Sequence, residues 1–247
     1  MAGPNINDTI MKMSQNVELM NYKLSMPDST IQIGNALFYL PNFPVDMIQR
    51  MIVTRNNYFD PYALQVIDEY LPNQSTILDI GANIGNHSLY WAIERNAKKI
   101  YSFEPLDSIY KILAKNVEIN KLEDIIIPHN FGLYKEDTNA SVEHTNLVNL
   151  GNTSFKPGDK GRFKLKRLDS LGIEDKIDLI KIDVEGVEVE VLVGGTETIK
   201  KSQPTIVVES FHRKFEVDNF MDSIDYELVK TIREGEDYIY QPKGKSE

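Results

Sequence analysis

Four titratable side chains follow two apolar runs of the sequence, where strands are expected to end. Asp183 and Glu185 follow the run in "IDLIKIDVEGVEVEVLVGG", and Glu209 and His212 follow the run in "PTIVVES". Ligands of α/β sheets bind at the carboxyl ends of parallel strands, so these groups are expected to converge. Three carboxylates and an imidazole can hold a hydroxyl group and accept its proton. The alternative for Glu185 is a structural place at a helix N-terminus, where an acid is favourable.

A glycine turn follows the strand in "LDIGANIGN" and predicts a nucleotide-type ligand site. In the dinucleotide fingerprint G-x-G-x-x-G, Gly81 fits the first place, but Asn83 holds the second. The turn resembles instead the motif D/E-x-G-x-G-x-G of Rossmann-like methyltransferases, with Asp79, Gly81 and Gly85 in place. Asn83 replaces the middle glycine, and Asn tolerates positive φ better than most residues. The helix that follows from Asn86 offers backbone N–H groups to a carboxylate.

Two polar side chains end the next strands and suit a nucleoside. Glu104 ends "KIYSFEP", 23 positions after Gly81, where an acid accepts hydrogen bonds from ribose hydroxyls. Asn130 ends the third strand, and its amide can both donate to and accept from an adenine edge. With the glycine turn, these residues predict S-adenosylmethionine, which has a ribose diol and an adenine but no pyrophosphate.

Strands that alternate with helices position these residues. The pattern predicts strands over residues 76–82, 99–105, 124–133, 177–182 and 204–210. Such alternation is typical of a mostly parallel, doubly wound α/β sheet with a Rossmann-like fold. The segments "YELVKTI" and "DYIYQ" predict an antiparallel C-terminal hairpin at one edge, and "STIQIGNALFYLP" predicts a hairpin before the sheet.

A polar segment from Leu147 to Gly161 separates the third and fourth strands and is predicted to be a long loop. Long loops in compact domains are often functional. Its side chains Asn149, Asn152 and Ser154 suit a hydroxylated acceptor. Tyr58 is a candidate aromatic wall for a sugar ring, with burial under the N-terminal hairpin as the alternative.

Composition excludes several classes of protein. The chain of 247 residues is 41% hydrophobic and 26% charged, which is typical of a soluble globular protein. The absence of cysteine excludes disulfides and thiolate chemistry and suits a reducing compartment. Without a signal-peptide core or an apolar run of membrane-spanning length, a cytoplasmic location is expected. The net charge of −10 disfavours a nucleic-acid partner.

The motifs together resemble the FkbM family of S-adenosylmethionine-dependent methyltransferases. The resemblance covers Asp60 to about His212 and rests on "LDIGANIGNHS", "SFEP", "RLDSL", "IKIDVEGVEVEVLVGG" and "PTIVVES". It implies methylation of a hydroxyl on a sugar, glycan or glycosylated metabolite. We therefore expect an N-terminal arm and hairpin cap over residues 1–59 and a methyltransferase domain over 60–247. His212 is the first candidate for the general base, because imidazole titrates near neutral pH, with Asp183 next. The alternative for His212 is an ordinary surface histidine in a loop.

Other readings stay open. Asp183 with Glu209 resembles the acid pair that holds Mg²⁺ in some O-methyltransferases, so this metal is possible but not favoured. N-methylation of protein or nucleic acid is the alternative reaction, although "DVEG" stands where nucleic-acid amino-methyltransferases carry an "NPPY"-like block. An NAD-dependent oxidoreductase is disfavoured by Asn83. A non-catalytic module would bind S-adenosylmethionine without turnover.

Overall fold

The structure is a computed structural model that describes residues 17–21, 29–146, 148–158 and 160–244. Most of the arm expected over residues 1–27, together with Leu147 in the polar segment, lies outside the described residues. The strands are β1 (Thr30–Ile33), β2 (Ala36–Tyr39), β3 (Thr76–Ile80), β4 (Lys99–Phe103), β5 (Ile126–His129), β6 (Gly132–Tyr134), β7 (Thr138–Asn146), β8 (Asn149–Pro157), β9 (Phe163–Arg167), β10 (Leu179–Ile182), β11 (Thr205–Glu209), β12 (Tyr226–Ile232) and β13 (Asp237–Pro242). The helices are α1 (Met47–Arg55), α2 (Pro61–Asp68), α3 (Asn86–Ile93), α4 (Asp107–Ile119), α5 (Glu188–Gly194), α6 (Thr196–Ser202) and α7 (Lys214–Ser223).

A seven-stranded sheet forms the centre of the fold, in the order β12-β13-β11-β10-β3-β4-β5. The five strands from β11 to β5 pair in parallel, and β13 pairs antiparallel with both β11 and β12. The predicted Rossmann-like α/β class and the closing C-terminal hairpin are therefore confirmed. Since β10 and β11 flank β3 on one side and β4 lies on the other, the carboxyl ends that carry the predicted site residues are neighbours.

Both faces of this sheet are covered, which explains its nearly continuous apolar strands. Successive side chains enter opposite layers: Ile77 belongs to one hydrophobic cluster and Leu78 to the other. The first cluster also contains Phe38 and Ile52 from the N-terminal segment. Residues 29–59 therefore bury their apolar side chains in the same core as the central sheet. The boundary expected near residue 60 stays a prediction.

The predicted hairpin around Gly34 is confirmed, because β1 and β2 pair antiparallel and Gly34 has a φ of +57°. The prediction of one strand over residues 124–133 is wrong. The chain leaves the central sheet after His129, and β6 pairs in parallel with β9 in a second sheet.

The prediction of a long polar loop over residues 147–161 is also wrong. Together with the residues before it, this segment forms the hairpin β7–β8 of a four-stranded sheet with the order β6-β9-β7-β8. The hairpin has a small apolar base, in which Phe155 packs against Phe163 with ring centroids 5.1 Å apart. Most of its other side chains are polar and are half-buried or exposed, so no apolar alternation marked the strands in the sequence.

No helix in the described part of the chain has both the length and the apolar character that crossing a membrane requires.

Candidate active site

A cavity of about 290 Å³ opens at the carboxyl edge of the central sheet. Its walls come from the ends of β3, β4, β10 and β11, and residues of the β7–β8 hairpin and of α1 also line it. The hairpin is attached to the N-terminal segment by two backbone donors. The N–H of Met47 donates to the carbonyl of Val148 at 2.7 Å, and the N–H of Leu150 donates to Asp46 at 3.2 Å.

The glycine turn after β3 forms one wall of the cavity. Gly81 has a φ of +79°, and a Cβ placed there would lie 1.8 Å from the carbonyl oxygen of Asp183. Asn83 has a φ of +50°, so the expected left-handed asparagine is confirmed, and its Oδ1 accepts from the N–H of Ile84 at 2.7 Å. Gly81 and Asn83 line the cavity. Gly85, with a φ of +87°, is the N-cap of α3 and lies behind it.

Two residues predicted to bind the cofactor stand behind the turn instead. Asp79 is fully buried, accepts from the hydroxyl of Ser88 at 2.6 Å and lies 3.6 Å from the ammonium of Lys181. Burial raises the pKa of Asp79, although Lys181 and Ser88 partly offset this. Asn86 accepts from the N–H of Phe59 at 2.8 Å and donates to its carbonyl at 3.0 Å. Neither side chain lines the cavity, so the structure assigns both to orienting the turn.

Glu104 lines the cavity at the end of β4. One carboxylate oxygen accepts from the N–H of Asn83 at 3.1 Å and the other accepts from the N–H of Leu106 at 2.8 Å. Burial raises the pKa of Glu104 to about 7, against the lowering effect of these two bonds. Beside it lies an apolar lobe that suits a flat base, formed by Phe103, Pro105, Ile109 and Leu133. Asn130 is half-buried and does not line the cavity, so its expected contact with adenine has no support here.

The acids at the ends of β10 and β11 meet as expected from the sequence. The Lys181 ammonium lies 2.9 Å from the carboxylate of Asp183. Burial alone would raise the pKa of Asp183, but Lys181 and a hydrogen bond from Glu209 lower it below its usual value. Burial and the neighbouring Asp183 raise the pKa of Glu209 to about 9. At neutral pH Glu209 is therefore protonated and donates to the Asp183 carboxylate.

Arg233 completes this cluster, and sequence analysis missed it. It lies in the turn between β12 and β13, where a single arginine looks like an ordinary exposed residue. Its guanidinium lies 3.1 Å from Asp60, 2.9 Å from Glu209 and 2.5 Å from Asp237. These contacts join the start of α2, the end of β11 and the start of β13. No local sequence signal predicts the contacts with Asp60 and Glu209, because these two partners are distant from Arg233 along the chain, whereas Asp237 is four residues away.

The structure does not bring His212 into the cavity. This side chain is exposed, next to an exposed Phe211 that does line the cavity. The histidine in the cavity is His87, in the first turn of α3, and burial together with Lys181 lowers its pKa well below the usual value. The Nε2 of His87 has no hydrogen-bond partner among the described residues. The sequence signal that could have identified His87 is its position directly after the glycine turn.

The predicted acceptor residues divide into two groups. Asn149, Asn152 and Glu185 line the cavity, and Glu185 does not cap the following helix. Ser154 lies in β8 away from the cavity. Tyr58 is buried, and its hydroxyl donates to Glu94 at 3.1 Å, so its expected contact with a sugar is corrected to a place in the core. The neighbouring Phe59 lines the cavity instead.

Within the described residues, no group of three or more His, Asp or Glu side chains is arranged to hold a metal ion. The two acids considered for Mg²⁺, Asp183 and Glu209, hydrogen-bond to each other, and Lys181 is the counterion of Asp183. This donor set fits a divalent cation poorly, because the charge of Asp183 is already balanced and Glu209 carries a proton.

Comparison of this chain with known proteins finds matches among methyltransferases. The family model described as "Methyltransferase FkbM domain" matches residues 79–240. The methyltransferase sdnD of Sordaria araneosa is 30% identical over 179 residues, which cover 57% of this chain and 68% of that protein. The hexuronic acid methyltransferase AglP of Haloferax volcanii is 25% identical over 180 residues, covering 71% and 72%.

Two solved structures show the same fold. The FkbM methyltransferase of Methylobacillus flagellatus superposes with a TM-score of 0.54 at 18% identity, covering 78% of this chain and 52% of that one. This chain thus spans about half of that solved chain. Streptococcus pneumoniae Sp1610 in complex with S-adenosyl-L-methionine superposes with a TM-score of 0.51 at 13% identity, covering 75% of each chain.

Proposed function

Because this chain belongs to the FkbM family of methyltransferases, we propose that it uses S-adenosylmethionine to methylate a hydroxyl of a sugar, glycan or glycosylated metabolite. One observation carries the proposal: a single cavity is lined by the glycine turn, by Glu104 and by the hydrogen-bonded acids Asp183 and Glu209.

The residues that line the cavity support this donor. Its apolar lobe would hold the adenine, and Glu104 keeps lone pairs for the ribose hydroxyls beyond the two it uses for backbone N–H groups. Six carboxyl side chains line the cavity, against two cationic ones, which suits a ligand with a positive charge: Asp60, Glu104, Asp183, Glu185, Glu209 and Asp237. When bound, S-adenosylmethionine supplies a methyl carbon on a cationic sulfur, and the carbon–sulfur bond breaks with its electron pair on sulfur.

We propose Asp183 as the general base. It lines the cavity and is ionised at neutral pH, since Lys181 and Glu209 stabilise its charge. Its carboxylate accepts the proton of the acceptor hydroxyl while the acceptor oxygen forms the new bond to carbon. Glu209 orients Asp183 through the shared hydrogen bond, and Arg233 holds Glu209 in place. Positioning of this kind accounts for much of the rate enhancement in displacement reactions.

Three features support a sugar as acceptor. Asn149 and Asn152 bring amide groups to the cavity, and Phe211 lines it while 55% of its surface is exposed. A cavity lined by amide groups and by an exposed aromatic ring suits a hydroxylated ring with one apolar face. The name of the Haloferax relative also refers to a sugar, although to an acidic one.

Metal independence is part of the proposal, since Lys181 already balances the charge of Asp183 and Glu209 carries a proton at neutral pH. Turnover should therefore be unchanged by EDTA. Loss of turnover with EDTA, restored by Mg²⁺, would contradict this.

The central test compares Asp183→Asn with His212→Ala. With isotopically labelled donor and a panel of glycans and nucleotide sugars, Asp183→Asn should lower turnover about 10²–10⁴-fold, the usual contribution of a general base. His212→Ala should change it less than about threefold. Calorimetry should give similar donor affinities for both variants and for the wild type. If His212→Ala shows the large loss and Asp183→Asn does not, the roles are reversed. Donor binding without turnover on any acceptor would indicate a non-catalytic module.

A further inference from the structure

Both cations that line the cavity are paired with the protein's own acids. Lys181 lies 2.9 Å from Asp183 and 3.6 Å from the buried Asp79. Every nitrogen of the Arg233 guanidinium has a carboxylate partner. Nη1 pairs with Asp60, Nη2 with Glu209 and Asp237, and Nε with Asp237. His87, the remaining basic side chain, is neutral at physiological pH. Among the described lining residues, no cationic donor is left for an anionic ligand.

In contrast to these paired cations, one carboxyl group that lines the cavity has no partner among the described residues. Glu185 lines the cavity and is half-buried, and no hydrogen bond or ion pair joins it to another described residue. Burial, Asp183 and Glu188 raise its pKa to about 7, so a part of Glu185 is ionised at neutral pH. In its ionised form this side chain can accept from a hydroxyl or an ammonium, and that form repels a carboxylate.

These two observations limit the chemical class of acceptor that the cavity can bind. This conclusion rests on the proposed function. A hydroxyl acceptor needs a group that takes its proton, and the carboxylate of Asp183 is such a group. A carboxylate acceptor needs no base but needs a cation to hold it, since an unpaired charge in an enclosed site is costly. We propose that the acceptor is a neutral or amino sugar methylated on a hydroxyl, that sugars carrying a carboxylate are excluded, and that Glu185 is a residue that enforces this exclusion.

The test uses matched methyl glycosides in three series: neutral hexoses, the corresponding 2-amino sugars and the corresponding hexuronates. Wild-type enzyme with labelled S-adenosylmethionine is assayed on each compound, and mass spectrometry of the products separates ethers from esters. Compounds that give no product are measured as competitive inhibitors of those that do. We expect products from the neutral or amino series, and rates or affinities at least about tenfold lower for the hexuronates, as like-charge contacts cost at least that much.

Glu185→Gln removes the charge and keeps the shape of the side chain. In this variant the hexuronate-to-neutral ratio should rise at least about tenfold relative to the wild type. The matched control is Glu123→Gln, the same change at an exposed residue that precedes β5 and therefore lies at the opposite edge of the sheet. It should leave the ratio unchanged.

Three outcomes would overturn the inference. Hexuronates methylated as well as or better than neutral sugars would show that the site accepts anions, while leaving sugar methylation intact. An unchanged ratio in Glu185→Gln would remove this residue as the selector. No product from any series, with donor binding by calorimetry intact, would overturn both the acceptor class and the proposed sugar methylation.

Discussion

Asp183 and Glu209 differ in protonation although both are carboxyl groups in one enclosed site. Burial raises the pKa of both groups, but Lys181, 2.9 Å away, lowers that of Asp183 below its usual value. For Glu209, burial and the negative charge of Asp183 outweigh the lowering effect of Arg233. Two carboxyl groups in contact do not both ionise at neutral pH. A proton retained on Glu209 therefore keeps Asp183 oriented and ready to accept another.

This arrangement predicts an alkaline limit to activity. As pH rises through about 9, Glu209 loses its proton and the hydrogen bond to Asp183 becomes a repulsion. Turnover should then fall, whereas the ionised Asp183 gains nothing from the higher pH. Glu209→Gln keeps a hydrogen-bond donor that cannot titrate, so its profile should lack this limit. Initial rates from about pH 6 to about pH 10 measure both profiles. An identical alkaline fall in both proteins would assign it to another group.

Glu104 predicts a pH dependence of donor binding. Its pKa of about 7 reflects burial, and a ribose hydroxyl bonds best to the ionised form. Donor affinity should therefore rise with pH up to about 7 and level off above it, with a slope of up to about tenfold per pH unit below. Calorimetry near pH 7 in buffers of different ionisation enthalpy should also detect proton release.

Two variants of Glu104 separate its contributions. Glu104→Gln should flatten the pH dependence, and Glu104→Ala should weaken binding by about 1.5–3 kcal/mol, as expected for charge-assisted hydrogen bonds. Donor binding by Glu104→Ala at wild-type affinity would remove this residue from the donor site.

At the scale of elements, the turn between β3 and α3 holds the cavity because β10 ends directly against it. Gly81 has a left-handed backbone and no room for a Cβ, which would lie 1.8 Å from the carbonyl of Asp183. Any side chain at this position has to separate the two strand ends. The position of the glycine turn and the position of Asp183, the proposed base, therefore depend on each other.

Gly81→Ala should therefore reduce both stability and donor binding. The left-handed conformation alone costs about 1–2 kcal/mol for a non-glycine residue, and the clash adds to it. We expect a free energy of unfolding lower by at least about 2 kcal/mol, together with a donor affinity lower by at least about tenfold. Gly158→Ala is the matched control, because no atom lies within 4 Å of a Cβ built there. Thermal unfolding and calorimetry check both variants, and equal effects would refute the steric argument.

The β7–β8 hairpin is the element that the sequence concealed most. Periodicity identifies a strand only when one face is apolar, and most side chains of this hairpin are polar on both faces. Two hydrogen bonds attach it to the N-terminal segment, one with the backbone N–H of Met47 and one with the side-chain carboxylate of Asp46. The ring contact of Phe155 with Phe163 also holds it in place. Its asparagines reach the cavity only because of these long-range contacts.

At the scale of the whole molecule, α4 joins the N-terminal hairpin to the glycine turn. Asn116 is fully buried, accepts from the N–H of Tyr39 at 2.6 Å and donates to the carbonyl of Ile84 at 2.8 Å. One turn later, Asn120 accepts from the N–H of Leu37 at 2.8 Å. Side-chain amides thus complete the hydrogen bonds of β2 in place of a further strand.

Asn116→Ala should destabilise the whole chain, because it leaves a buried N–H and a buried C=O without partners. Each such group costs about 1–3 kcal/mol, so we expect about 2–4 kcal/mol in the free energy of unfolding. Lys111→Ala, an exposed change on the same helix, should cost less than about 0.5 kcal/mol. Denaturant unfolding measures both. A loss confined to residues 29–59, with the remainder still folded, would instead indicate independent units.

The sequence alone was sufficient for the alternating α/β sheet, for the glycine turn with its left-handed Asn83, and for the meeting of Asp183 with Glu209. These features depend on local propensity, on apolar periodicity and on the rule that parallel strands end at one edge. The tertiary structure decided which of the neighbouring groups face the cavity. Phe59 lines the cavity where Tyr58 was expected, and His87 lines it where His212 was expected.

It also decided the electrostatics, since the counterion Arg233 comes from a distant turn and the proton on Glu209 depends on burial. Burial and long-range pairing are sums over contacts between distant segments, and no short stretch of sequence carries them.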